Sequence, residues 1–121
     1  MQFLKSYFSF EDDRGGILGV IRGQAWKEVN FIESKKDTVR GMHYHKKTRE
    51  CFFIIKGKIR VTVEDLRSGQ KNEFTASEKD IFIVDPFEIH TFKILEDSRW
   101  INMLSEPLEE GETKDIYRLN R

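Results

Sequence analysis

The sequence has almost no cysteine, no net charge and no long apolar run, and each lack narrows what the chain can be. Its one cysteine, Cys51, has no partner for an internal disulfide, and charges within 1–13 stand where a signal peptide needs an apolar run. A cytoplasmic location is expected. Lysine plus arginine and aspartate plus glutamate number 21 each, which leaves no net field to hold a polyanion by counterion release. No nucleic-acid partner is expected, and any anionic ligand must be held by local arginine placement. The longest apolar runs, such as 51–55, fall far short of the roughly 20 residues of a membrane helix. No membrane partner is expected either. Repeats, heptads, linkers and sustained helical periodicity are also missing.

What remains is 121 residues with 38% hydrophobic and 35% charged side chains, among them ten Phe, two Trp and three Tyr. That length suffices for one compact domain over 1–121 and not for two. The aromatic residues supply a core, and the charged ones a solvated surface.

Turn signals recur at short intervals: Asp12-Asp13-Arg14-Gly15-Gly16, Arg22-Gly23, Ser34-Lys35-Lys36-Asp37, Lys56-Gly57, Arg67-Ser68-Gly69, Ser77-Glu78-Lys79-Asp80 and Asp85-Pro86. Strand-length pieces lie between them, the spacing of an all-β sandwich or barrel. Ile59, Val61 and Val63 alternate with Lys58, Arg60, Thr62 and Glu64, the period-2 pattern of a strand with one apolar face. Further strands are predicted over 17–21, 25–32, 51–55, 81–84, 90–94 and 100–104, and the acidic stretch 106–112 as a solvated loop. One antiparallel barrel absorbs the whole chain and leaves a lumen for one small ligand.

All three histidines fall in two short segments, Gly41-Met42-His43-Tyr44-His45 and Pro86-Phe87-Glu88-Ile89-His90. On an extended backbone His43 and His45 share a face, and Glu50 arrives on the next strand before the Gly57 turn. His90 would enter from a distant strand. An isolated His-x-His pair is usually an ordinary strand end. Three imidazoles and one carboxylate together suit one divalent transition metal per chain, zinc first, with Fe(II), Mn or Ni as alternatives.

The full pattern runs Gly41, His43, His45, four residues, Glu50, six residues, Gly57, and later Asp80, Pro86 and His90. It resembles the two consensus motifs of the cupin superfamily, small jelly-roll-like β-barrels whose lumen commonly holds a metal on three His and one Glu. The second motif departs from the family pattern: Lys79 stands at its opening glycine, Glu88 at its inner glycine, and no Asn follows. Asp13-Arg14-Gly15, Val39-Arg40-Gly41-Met42-His43-Tyr44 and Val63-Glu64-Asp65-Leu66-Arg67 are similar to segments of dTDP-4-dehydrorhamnose 3,5-epimerases and sugar-nucleotide 3,4-ketoisomerases, over about 10–117.

That resemblance implies His43 as base and Arg40 as the grip on the nucleotide's phosphates. Glu50 replaces the lysine of the rhamnose-pathway epimerases, and Asn102 is the nearest counterpart of their tyrosine acid, so their metal-free mechanism does not transfer intact. The ligand spacing looks instead like the zinc-binding cupin domain of capsular-polysaccharide epimerases. A histidine bound to metal cannot also be a free base, so either one ligand detaches or another residue does the work. Arg14 beside two aspartates reads equally as a loop salt bridge or a phosphate contact. Arg60 faces lumen or solvent, and Cys51 is expected as a packed thiol.

The expected function is a metal-dependent epimerase or ketoisomerase of an NDP-4-keto-6-deoxy sugar in surface-polysaccharide synthesis. An iron-dependent cupin dioxygenase and a non-catalytic binding cupin are the alternatives. A homodimer is expected, because the N-terminal strand region to Ile32 otherwise leaves an edge open and related cupins exchange or pair such strands.

Overall fold

The computed structural model describes residues 1–107 and 115–119. In chain order its strands are β1 (Gln2–Leu4), β2 (Phe8–Asp12), β3 (Gly15–Gly19), β4 (Glu28–Ser34), β5 (Val39–His43), β6 (Glu50–Lys56), β7 (Lys58–Asp65), β8 (Lys71–Ser77), β9 (Ile81–Val84), β10 (Glu88–Ile94) and β11 (Ser98–Leu104). Among the described residues there is no helix. A five-stranded sheet in the order β1-β9-β6-β11-β4 faces a four-stranded sheet in the order β5-β10-β7-β8. Every strand pair is antiparallel. This is the all-β architecture expected from the turn spacing, in the jelly-roll-like form that the cupin resemblance implies.

Alternation decides which face of each strand turns inward. On β7, Ile59, Val61 and Val63 are buried while Lys58 and Arg60 are exposed. On β6, Phe52 and Ile54 join the core between the sheets, whereas Cys51 packs on the other side with Ile81 and Ile83. Phe52 sits at the centre of an aromatic group, its ring centroid 5.2 Å from Phe82, 5.0 Å from Phe92 and 5.5 Å from Trp100. These rings form the floor beneath the histidines.

The structure departs from the sequence reading in three places. β2 and β3 form a separate two-stranded hairpin, with every β2 residue exposed, so one barrel does not absorb the whole chain. β3 and β4 are displaced by about two residues from 17–21 and 25–32, toward the residues that find partners. β1, β5 and β8 carry no strand signal of their own. β1 is three residues long, β5 is interrupted by Gly41, and β8 is polar along most of its length. Most of the 106–112 stretch lies outside the described residues.

Candidate metal centre

His43 closes β5 and is the cross-strand partner of His90 on β10, while Glu50 opens β6 in the opposing sheet. His45 lies just beyond β5. The ligand atoms of His43, His45, Glu50 and His90 all lie within 4.8 Å of one another. His45, Glu50 and His90 are buried, and His43 is half-buried. Imidazole centroids stand 4.6 Å apart for His43 and His90, 5.0 Å for His43 and His45, and 5.3 Å for His45 and His90.

Local backbone makes this convergence possible. Gly41 has φ +89°, and a Cβ there would come within 2.6 Å of the His90 carbonyl oxygen. Met42 follows at φ 63°, and the β5–β10 register shifts between His90 and Thr91. Only glycine takes that left-handed position without strain and lets the two strands approach this closely.

Each ligand is oriented from behind. His45 donates Nδ1–H to the Asp115 carbonyl at 2.5 Å, and His90 donates Nδ1–H to the Glu88 carbonyl at 3.1 Å. A carbonyl can only accept, so both rings carry a proton on Nδ1 and turn Nε2 toward Glu50; without a metal, His45 carries a second proton on Nε2, which the Glu50 carboxylate holds. Glu50 Oε1 accepts from His45 Nε2 and lies 3.5 Å from His90 Nε2, while Oε2 accepts from Asn102 Nδ2 at 3.1 Å. His43 hydrogen-bonds the Gly41 backbone.

The electrostatics follow from burial opposed by close charge. Burial raises the Glu50 carboxyl, but hydrogen bonds from His45 and His90 outweigh it and hold the group well below the usual carboxylate range. Burial would lower His45, yet its bond to Glu50 and that carboxylate's charge raise it overall. His43 is pushed down to about 4, by burial first and then by the charges of His90 and His45. A negative carboxylate among inward-turned imidazoles, with the outer ring nitrogens of His45 and His90 already engaged, is the donor chemistry a divalent transition ion takes.

Beside this cluster is a cavity of about 190 Å³, lined by His43, Glu50 and His90 together with Arg40, Phe52, Trp100, Asn102 and Ile116. Arg40 donates from Nε to Ser34 Oγ at 2.9 Å, and the same hydroxyl accepts from Trp100 Nε1 at 3.1 Å. That relay fixes the guanidinium on the cavity wall. The two other candidate arginines are not brought here. Arg14, 84% exposed at the hairpin tip, is bound to the Asp12 carboxylate at 2.6 Å. Arg60 lies on the outward side of β7, paired with Glu73 at 2.6 Å, because the alternation that buries Ile59 and Val61 turns it outward. Cys51 is a packed thiol, pushed up to about 11 by burial. Sequence reasoning missed Asp115 and Ile116, which no motif marks.

The model of the polysaccharide biosynthesis C-terminal domain matches residues 10–104. The chain belongs to that family. Several solved structures share its fold. A dTDP-4-dehydrorhamnose 3,5-epimerase from Sulfolobus tokodaii is 24% identical with a TM-score of 0.76, over 90% of this polysaccharide biosynthesis C-terminal domain and 77% of that chain. A dTDP sugar isomerase from Desulfovibrio desulfuricans is 17% identical with a TM-score of 0.80, over 98% and 83%. The capsular polysaccharide assembling protein CapF from Staphylococcus aureus is 21% identical with a TM-score of 0.71 over 99% of this domain, which spans only 35% of CapF. No curated protein matches in sequence.

Proposed function

We propose that the domain is a metal-dependent isomerase, an epimerase or ketoisomerase of a nucleotide-linked 4-keto-6-deoxy sugar. The observation that carries this reading is the convergence of His43, His45, Glu50 and His90 beside a cavity walled by Arg40, in a family of polysaccharide biosynthesis. At about 190 Å³ the cavity is smaller than the ~300–1,000 Å³ of pockets that enclose larger ligands, so it suits a sugar ring with the nucleotide outside.

Buried His45, Glu50 and His90 make a three-ligand set, the number that leaves a catalytic metal an open position. A metal there would stabilise an enolate oxygen as a Lewis acid, worth several kcal/mol. His43, half-buried and on the cavity wall, is pushed down to about 4 in the metal-free site by burial and by the charges of His90 and His45; an ion on those two rings would remove their charges and leave His43 a neutral imidazole. It is therefore free to take the proton from the carbon beside the ketone, a role typically worth 10²–10⁴-fold. Arg40 donates paired charge-assisted hydrogen bonds to the diphosphate oxygens.

The test is enzyme-dependent exchange in deuterated water. Purified protein should carry about one divalent ion per chain and place deuterium at carbon 3 or 5 of an NDP-4-keto-6-deoxyglucose, with no oxygen consumed. His43→Ala should abolish exchange while retaining the ion; loss of the ion would make His43 a fourth ligand instead. Full metal loading without exchange on dTDP- or UDP-linked sugars would defeat the isomerase reading, and oxygen uptake would favour a dioxygenase.

A further inference from the structure

Residues 115–119 run beside the segment that carries the first two histidines. The Asp115 carboxylate accepts from the backbone N–H groups of Lys46 and Lys47 at 2.9 Å and of Thr48 at 2.8 Å, and from the Thr48 hydroxyl at 2.8 Å. Its own carbonyl takes the Nδ1–H of His45. Two residues on, Tyr117 exchanges both backbone hydrogen bonds with Tyr44, at 2.9 and 3.0 Å, and Arg118 Nη1 donates to the Gly41 carbonyl at 3.1 Å. Ile116, between these anchors, lines the cavity.

We propose that Asp115 is a positioning residue for the metal centre, its side chain fastening the 46–48 turn while its main chain fixes the tautomer and ring angle of His45. The inference rests on the metal reading above. Its physical basis is that one residue grips both sides of the same ligand. The carboxylate pins the turn that leaves His45, and the carbonyl pins the ring itself. The ring can therefore neither rotate nor give up its Nδ1 proton unless Asp115 leaves, so Nε2 is the nitrogen left to meet an ion. Ordinary turn capping needs the carboxylate alone; the carbonyl contact to a ligand is additional. The same anchorage seats Ile116 as a cavity wall.

The experiment uses the full chain, stripped of metal and titrated with Co²⁺, whose visible bands report affinity and coordination geometry together. Asp115→Ala, which unfastens the 46–48 turn and so frees the carbonyl that holds His45, should bind Co²⁺ about 10–100-fold more weakly, the usual effect of losing an outer partner of a ligand, and should show shifted bands. Asp115→Asn, which retains one acceptor oxygen, should recover part of both. Should the alanine variant not fold, the asparagine variant and Thr48→Val carry the comparison. Wild-type affinity and bands in folded Asp115→Ala would overturn the proposal. So would weaker binding with unchanged bands and a matching loss of metal-free stability, which would make Asp115 a turn cap only. Failure of the wild type to bind Co²⁺ would overturn the metal reading along with it.

Discussion

At the residue scale the site is governed by one carboxylate. Glu50 is charged because His45 and His90 point at it, and His45 holds a proton more tightly because Glu50 is charged. His43 stands in the opposite position, lowered from 6.5 to about 4 by burial and by its neighbours' charges. The unfolded chain then binds the His43 proton more tightly than the fold does, so this group subtracts stability as pH falls from about 6.5 toward 4. Glu50 adds to the loss below its ordinary 4.5, whereas the raised His45 opposes it. In metal-free protein the urea midpoint of wild type should therefore fall more steeply than that of His43→Gln between pH 6.5 and 4. Parallel profiles would mean that His43 is not shifted. The four candidate ligands were legible in the sequence because histidine is scarce there and their spacing is distinctive. The resemblance singled out Arg40, whereas Arg14 and Arg60 kept two readings each, since an arginine at a turn or on an alternating strand can face either way. Ser34, six residues before Arg40, holds it on the cavity wall, and Trp100, which fixes Ser34, comes from a strand distant in sequence.

At the scale of elements, legibility follows how far a strand's own side chains announce their environment. β7 alternates and β9 is apolar throughout, so both were readable within a residue or so. β5 was not, although it carries His43. Its Val39 and Met42 are exposed, and Gly41 breaks the extended pattern. The strand is set by its pairing with β10, which alternation cannot reveal. This pairing predicts that Gly41→Ala will damage the centre without touching a ligand. The added methyl meets the His90 carbonyl and forces a left-handed backbone, a strain of about 1–3 kcal/mol. Denaturant unfolding should show that loss, and metal retained per chain should fall with it. Unchanged stability and loading would mean that β5 tolerates separation from β10.

At the scale of the molecule, the β2–β3 hairpin and the outer face of the five-stranded sheet leave apolar surface uncovered. Phe8, Phe10, Ile17, Val29 and Phe31 are all exposed, and a hollow of about 500 Å³ lies among Tyr7, Ile17, Val29, Phe53 and Met103. A two-stranded hairpin is at best marginally stable alone, and contiguous exposed apolar surface of this kind marks an interface. The proposed assembly is a homodimer that covers this face. Sedimentation at micromolar concentration should give twice 14.4 kDa, and Phe31→Lys should shift the species toward monomer. A wild type that sediments only as monomer refutes the assembly.

The four clustered side chains do not come from one layer. His43 and His90 belong to the four-stranded sheet, Glu50 to the five-stranded sheet, and His45 to the loop that joins them. An ion held by His45, Glu50 and His90 would act as a rivet through the two walls, and its binding energy would count as folding energy, about 4.1 kcal/mol at a thousand times its dissociation constant. The chain's survival in a cell would then be metered by ion supply. During ion starvation, quality-control proteases would remove the protein itself and not merely find it idle.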